Sequence, residues 1–285
     1  MKISIIIPTL DRPIQSKVLI SNISLLLNRN VELIVIDDSK NPMDLANLSK
    51  EIKYRHRSEK VGVCSARNYG ASFAKGEYLL FLDDDDKVSE EWLKDFLDAT
   101  KSEADMVFCD MITTKFKSGE KVLEMVEIQG FKLVNQIFIP GAWMIRNDFF
   151  QTIGGYDERL KYAENTELFM RAYQAKPKFY RIPKANFFYF PSIDGGSKNL
   201  RNMIDSLQLI LNKHEDNLSN HVKFLYNQII GVNYMRFRQY EKARIYLVNA
   251  LKYKPYKMST WIRLTIAAFP FLAKRIYTEN VNPVK

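Results

Sequence analysis

Residues 78–86, Tyr78-Leu79-Leu80-Phe81-Leu82-Asp83-Asp84-Asp85-Asp86, pass from five consecutive apolar side chains to four consecutive carboxylates. An apolar run without alternation is what a strand buried on both faces requires. The abrupt change to charge marks the end at which that strand leaves the core. Two earlier segments repeat the pattern: Ile3–Ile7 runs into Pro8 and Thr9, and Glu32–Ile36 runs into Asp37 and Asp38. Between them, Pro13–Asn28 carries Val18, Leu19, Ile23, Leu26 and Leu27 at helical spacing, with Pro13 suited to a first turn. Ile52–His56 reads as a short third strand, and Val63–Ala74 as a helix stopped before Gly76. Ser89 reads as the cap of a further helix with Glu90 and Glu91 in its first turn. Such alternation predicts an open α/β sheet wound right-handedly. Ligands of such sheets bind outside the carboxyl ends of the strands, where both acidic clusters and the Pro8–Thr9 turn fall.

Farther along, Met106–Met111, Val122–Ile128, Phe179–Ile182 and Phe187–Phe190 read as strands and Glu164–Ala175 as a helix. After residue 198 the pattern is helical only, over Leu200–Lys213, Val222–Arg238, Tyr240–Lys254 and Ser259–Ile276, the last interrupted by Pro270. The expected domains are therefore residues 1–197 and a helical region, 198–285, with the boundary near Ser197. Tyr240–Pro255 resembles the second helix of a tetratricopeptide repeat, and one such repeat cannot bury a core by itself. Ile3–Ile7 is too short for the apolar core of a signal peptide, and no apolar stretch is long enough to span a bilayer. The two cysteines, Cys64 and Cys109, lack metal or redox spacing and read as reduced structural thiols of a cytoplasmic protein.

The 285 residues carry 42 Lys and Arg against 33 Asp and Glu, a formal charge of +9, which favours anionic partners. Nucleic acid is not the expected one, because the basic and aromatic residues form neither an RNP-like nor a helix-turn-helix pattern. The carboxylate run Asp83–Asp86 repels itself unless compensated. It reads equally as a solvated acidic turn or as a site for Mg²⁺ or Mn²⁺, which take hard oxygen ligands and share them with substrate phosphates. Asp38 at a strand end can accept hydrogen bonds from a base or ribose, as acidic residues do in dinucleotide-binding folds, or can close an Asx turn. Arg67, inside Gly62–Gly70 (GVCSARNYG), can meet phosphate oxygens or lie on a helix surface. Gly154 and Gly155 mark a turn before the acidic stretch Glu164-Asn165-Thr166-Glu167. Its carboxylates can supply a general base, with Glu164 and Glu167 sharing one helix face, or can simply favour a helix N-terminus.

Taken in order, SIIIPTLDRP, VELIVIDDS, GVCSARNYGASFAKGEY, LLFLDDDD, GGYDE and ENTEL resemble glycosyltransferase family 2 over roughly residues 1–190. The resemblance implies an inverting enzyme on a GT-A fold, an open mixed sheet flanked by helices with a Rossmann-like nucleotide-binding half. It places Pro8, Thr9 and Asp11 in the loop lining the nucleoside pocket, Asp38 at the base and Arg67 near the donor. Asp83 and Asp84 lie near the ribose and diphosphate, Asp85 with Asp83 holds Mn²⁺ or Mg²⁺, and Trp143 lies in the segment contacting sugar or acceptor. Glu164-Asn165 falls on the family's Glu-Asp pair. The Asp, usually the catalytic base, is Asn165 here and cannot take a proton at neutral pH, so Glu164 becomes the expected base. The implied donor is a nucleotide sugar, with a lean to uridine, and the acceptor a saccharide or lipid-linked glycan in cell-surface polysaccharide synthesis. The alternative is a catalytically impaired homologue that binds the nucleotide sugar. A sugar nucleotidyltransferase is disfavoured because PTLDRP contains no glycine-rich loop.

At the C-terminal end, Trp261–Ala273 is apolar apart from Arg263 and Thr265, and basic residues flank it. It reads either as an amphipathic helix packed on its neighbour or as a peripheral contact with the inner face of the membrane.

Overall fold

The structure, a computed structural model, describes residues 1–44, 52–117, 120–127, 138–190 and 199–278. The chain divides into two compact units, Met1–Glu158 with Glu164–Pro191, and Arg159–Ala163 with Ser192–Lys285. Ser197 itself lies outside the described residues.

The first unit opens with β1 (Ile3–Thr9), α1 (Pro13–Leu26), β2 (Val31–Asp37), β3 (Ile52–His56), α2 (Val63–Ser72) and β4 (Tyr78–Phe81). All seven residues of β1 and of β2 are buried, as strands covered on both faces require, and the two polar residues inside them, Ser4 and Glu32, bond one another. These four strands are parallel in the order β3-β2-β1-β4, so their carboxyl ends share one edge. Helix α2 lies close against that sheet: a Cβ on Gly70 would come within 2.5 Å of Ile6 Cγ2.

The unit continues with β5 (Lys87–Val88), α3 (Trp92–Ala99), β6 (Met106–Lys117), β7 (Glu120–Val126), β8 (Trp143–Arg146), α4 (Asn147–Thr152), α5 (Glu164–Gln174) and β9 (Phe179–Tyr189). The sheet order β3-β2-β1-β4-β8-β6-β9-β5 makes it mixed, with β8 antiparallel to both β4 and β6 and with β7 paired to β6.

Two expectations change and a third is met. The segments Phe179–Ile182 and Phe187–Phe190 belong to one strand, β9, whose register against β6 shifts on either side of Asp110. Pro183 has no N–H to give a ladder, and the irregularity absorbs it. Ser89 does not cap α3, which starts after Glu91 without a side-chain cap. Its N–H and hydroxyl are spent on Asn186 O and Oδ1, prolonging the β5–β9 pair. The helical stretch Ser259–Ile276 is, as the interruption at Pro270 implied, two helices, parted where Phe269 leaves helical geometry ahead of Pro270.

The second unit holds α6 (Leu200–Lys213), α7 (Asn220–Arg236), α8 (Tyr240–Tyr253), α9 (Met258–Ala268) and α10 (Pro270–Ile276). The Asn199 and Ser219 side chains cap α6 and α7. The core of this unit includes Ile204, Leu207, Ile230, Met235, Ala243, Leu247 and Ala267. The stretch that resembles a repeat helix, now α8, thus buries its apolar face against α7 and α9. Among the described residues no helix is long and apolar enough to cross a membrane.

Cys64 and Cys109 are buried and form no disulfide. Burial pushes the Cys64 thiol up to about 12 and raises that of Cys109 further still.

Gly141 joins the end of β4 to α3. Its N–H donates to Phe81 O at 2.6 Å and its carbonyl accepts from Trp92 Nε1 at 2.7 Å. Its φ is +87°, and an added Cβ would overlap the Phe187 ring and Leu82 Cδ1, the latter at 2.8 Å. Gly141→Ala should therefore cost on the order of 3 kcal/mol from overpacking and left-handed strain together. Urea unfolding would check this, and an unchanged midpoint would refute the packing described.

Candidate active site at the strand ends

Two adjacent carboxylates end β2, and they do different work. Asp37 is fully buried and accepts from Ser39 N at 2.9 Å, Met43 N at 3.0 Å and Tyr54 Oη at 2.6 Å. Burial alone would raise its pKa; the Ser39 and Tyr54 bonds outweigh that and hold it below the ordinary value. Asp37, not Asp38, thus closes the Asx turn. Asp38 is gripped by Arg57, whose Nε and Nη2 reach its two oxygens at 2.7 and 2.8 Å. The Arg57 guanidinium also lies 4.6 Å from the centre of the Tyr69 ring. The β1 end fits beside this pair. Pro8 is buried in register with Ile36, and the Thr9 carbonyl accepts from Asp38 N at 3.0 Å. Asp11 is exposed at φ +55°. Its N–H donates to Ser39 Oγ, and a hydrogen bond from Lys60 holds its carboxyl below the usual range.

The four carboxylates after β4 diverge. Asp84 turns inward, accepting from Thr9 Oγ1 at 2.7 Å and from Arg12 Nη1 at 3.0 Å. Burial pushes its carboxyl up, against the Thr9 bond and the Arg12 charge. The Thr9 hydroxyl and the Asp84 carboxylate are therefore buried and engaged with one another, with Ser16 and with Arg12, whereas the resemblance places both at the donor. Asp86 folds back to accept from Asp83 N at 2.8 Å. Its carboxyl is held well above the ordinary value by burial and by the charge of Asp83. Asp83 stays partly exposed and Asp85 exposed. Arg12 also reaches Asp85 Oδ2, at 2.7 Å.

Arg67 is no surface residue. It is 1% exposed, and its Nη2 donates to Asp83 at 2.6 Å while Nη1 donates to Glu164 Oε1 at 3.3 Å. Its guanidinium sits 5.1 Å from the centre of the Tyr156 ring. At the N-terminus of α5, Asn165 accepts from Tyr156 Oη at 2.8 Å and donates to Glu164 Oε1 at 3.1 Å. Both donors to Glu164 use Oε1, so Oε2 carries no hydrogen bond among the described residues. Gly154 and Gly155 both take positive φ, and Asn68 bonds across the turn to the Tyr156 N–H and carbonyl, which fixes the ring.

Glu167 does not share the site. It is fully buried, and Arg171, one helical turn on, holds both its oxygens while also donating to the carbonyls of Ile153 and Gly155. Trp143 likewise lies in the core, 1% exposed, with its ring 4.9 Å from Phe169 and 5.8 Å from Phe81. It presents no face to a sugar.

Arg12, Arg57 and Tyr54, which hold the carboxylates in place, and Tyr156, which holds Asn165, carry no mark in the sequence. Only the surplus of unpaired Asp near strand ends signalled that such partners had to exist.

No three His, Cys, Asp or Glu side chains among the described residues are grouped so as to hold a metal by themselves. Asp83 and Asp85 nevertheless offer hard oxygen donors near the surface. Mg²⁺ commonly binds through one or two carboxylates and completes its shell with substrate phosphates and water, and that donor set fits the pair.

A parallel half-sheet with carboxylates at the ends of β2 and β4, continued by antiparallel strands, defines the GT-A class of nucleotide-sugar-binding domains. Residues 4–154 match glycosyl transferase family 2, and the chain belongs to that family. It is 29% identical over 187 residues to the minor teichoic acid biosynthesis protein GgaB of Bacillus subtilis, covering 59% of this chain and 20% of GgaB. It is 26% identical over 187 residues to an uncharacterized glycosyltransferase of Haemophilus influenzae, covering 62% of this chain and 63% of that protein. The chain thus spans a fifth of the one relative and under two thirds of the other. Its fold is similar to that of S. aureus TarS 1–349 in complex with UDP-GlcNAc, with a TM-score of 0.61 and 19% identity over 95% of this chain and 88% of that one.

Tyr54→Phe removes a donor to a carboxylate whose pKa is lowered in the fold. The Asp37 contribution is present above the unfolded value and is lost as pH falls through the folded one. The variant should lose roughly 1–3 kcal/mol of stability at neutral pH, and the loss should narrow in acid below the ordinary Asp value. Chemical unfolding at both pH values checks this, and equal losses would remove the Asp37 charge from the account.

Proposed function

We propose that the chain is an inverting, nucleotide-sugar-dependent glycosyltransferase with a UDP-linked donor and a saccharide or lipid-linked acceptor in cell-surface polysaccharide synthesis. The observation that carries this reading is the convergence of Asp38, Asp83, Asp85, Arg67 and Glu164 at the carboxyl edge of the parallel strands. Membership of glycosyl transferase family 2 and the fold shared with a UDP-GlcNAc-binding protein support it.

In this reading Asp38, clamped by Arg57, faces the base or ribose of the donor. Asp83 and Asp85 would hold Mn²⁺ or Mg²⁺ beside the diphosphate, and that cation, when bound, would neutralise charge developing on the leaving group. Glu164 is the base. Arg67 and Asn165 both bond its Oε1, which fixes the carboxylate and leaves Oε2 to take the acceptor proton. The acceptor oxygen then forms its bond to the anomeric carbon as the bond from that carbon to the diphosphate breaks. The electron pair leaves with the nucleoside diphosphate, and the anomeric configuration inverts. Asn165, held by Tyr156 and bonded to Glu164, orients the base in place of an aspartate that would repel it. The second reading, an impaired homologue that binds the donor without transfer, rests on the amide at Asn165.

Calorimetric titration with UDP tests the donor site. Mn²⁺ should raise the affinity, and Asp85→Ala should abolish the increase; equal affinity in metal and in chelator would remove the cation from the proposal. Glu164→Gln should lower transfer, or slow donor hydrolysis, by at least about a hundredfold while UDP affinity is retained. A rate matching that of the unmodified protein would exclude Glu164 as base. UDP-sugar binding without any turnover in the unmodified protein would favour the impaired homologue.

A further inference from the structure

The helical unit carries a surface that the transfer reading does not use. On α9, Met258, Trp261 and Ile262 follow helical spacing along one face and are exposed, while Thr260 and Ala267 face the interior. On α10, Phe271, Leu272 and Ile276 are exposed and Ala273 is buried. With Phe269 between the two helices, seven large apolar side chains thus stand in solvent within nineteen residues. The charge is as lopsided. From Lys242 to Thr278 the chain holds eight Lys and Arg and not one Asp or Glu. Lys257, Lys274 and Arg275 are exposed among the apolar side chains, with no acidic partner among the described residues.

We propose that the α9–α10 face seats on an anionic lipid surface. Apolar side chains interleaved with unopposed cations match the layer where acyl chains meet anionic headgroups. A second copy of the chain matches poorly, because face-to-face packing would oppose two sets of like charges with no acid between them. The helices lie in the plane of the surface instead of crossing it: α9 has eleven residues, about 16 Å at 1.5 Å per residue, half the roughly 30 Å of a hydrocarbon core. The face is also ready for burial. The Trp261 indole N–H already donates to Pro255 O at 2.7 Å, so the ring enters the interface without leaving a donor unpaired. The segment is anchored from behind by Arg244, which donates to Ala267 O, and by Arg236, which donates to Thr278 O.

The chain has three tryptophans, and Trp92 and Trp143 are buried, so the quenchable emission comes from Trp261. The test is sedimentation of the full chain with phosphatidylcholine vesicles and with mixed phosphatidylcholine–phosphatidylglycerol vesicles at low ionic strength, with acrylamide quenching alongside. The expected result is binding to the mixed vesicles only, release by added salt, and shielding of Trp261 on binding. The double substitution Lys274→Glu, Arg275→Glu should weaken partitioning at least about tenfold, since each basic residue near such a surface contributes on the order of fivefold. Phe271→Ser, at a side chain 70% exposed, should weaken it without disturbing the fold, which circular dichroism verifies. No binding to anionic vesicles, binding indifferent to their charge, or bound protein with Trp261 still quenched would each overturn the proposal. So would a dimer that shields Trp261 without lipid, which assigns the face to a second copy. Neither donor nor acceptor enters the assay, so its outcome is separate from that of the transfer reading.

Discussion

A buried guanidinium organises the candidate site. A charge as secluded as that of Arg67 is tolerable only when paired and hydrogen-bonded, because desolvation otherwise costs several kcal/mol. Its two partners come from distant places in the chain, Asp83 after β4 and Glu164 at the start of α5. The pairing therefore ties the carboxyl edge of the parallel strands to the N-terminus of α5. The Tyr156 ring closes the remaining side of the guanidinium, and the Gly154–Gly155 turn sets that ring at the required height. Arg67 Nε is left without a partner, a cost of about 1–3 kcal/mol for a buried donor. The arrangement is thus shaped by where its carboxylates must stand as well as by stability.

The same economy runs through the acidic run. Four adjacent carboxylates cannot all face one way, and the fold separates them by their partners. Asp84 is drawn under the surface by Thr9 and Arg12, and Asp86 is folded back onto the backbone of Asp83. Asp83 and Asp85 keep their surface positions while Arg67 and Arg12 temper their charge. An inward Asp84 also pins Thr9, so the ends of β1 and β4 are joined by side chains as well as by the sheet.

The strands of the parallel half were legible because burial on both faces leaves runs of apolar residues without a period-2 alternation, as in Ile3–Ile7 and Glu32–Ile36, each with a single polar residue, Ser4 or Glu32. The loci of the site were legible for the converse reason: carboxylates stacked at strand ends need an explanation. What could not be read was which carboxylate points where. That depends on Arg12 and Arg57, which reach their partners from other elements and carry no local mark. Asp37 and Asp38 are neighbours of identical chemistry, and only Tyr54 and Arg57, on and just after the adjacent strand, assign one to the turn and the other to the edge. Glu164 and Glu167 looked equivalent on spacing, yet Arg171 takes Glu167 inward. Trp143 read as a contact residue from its segment, but its ring fills the space between Phe81 and Phe169. Ser89 was misread because its hydroxyl is consumed by Asn186, on a strand far along the chain.

The two buried thiols have a practical consequence. A cysteine reacts as its thiolate, and with Cys64 held near 12 and Cys109 still higher, neither supplies thiolate at neutral pH or a route to it. The chain is thus already a silent background for thiol chemistry. A single cysteine placed at any exposed position would take a maleimide dye or nitroxide alone, with no need to strip native thiols from the core first. Distances between the two units, or the approach of either to a bilayer, then become measurable on a protein whose interior has not been touched.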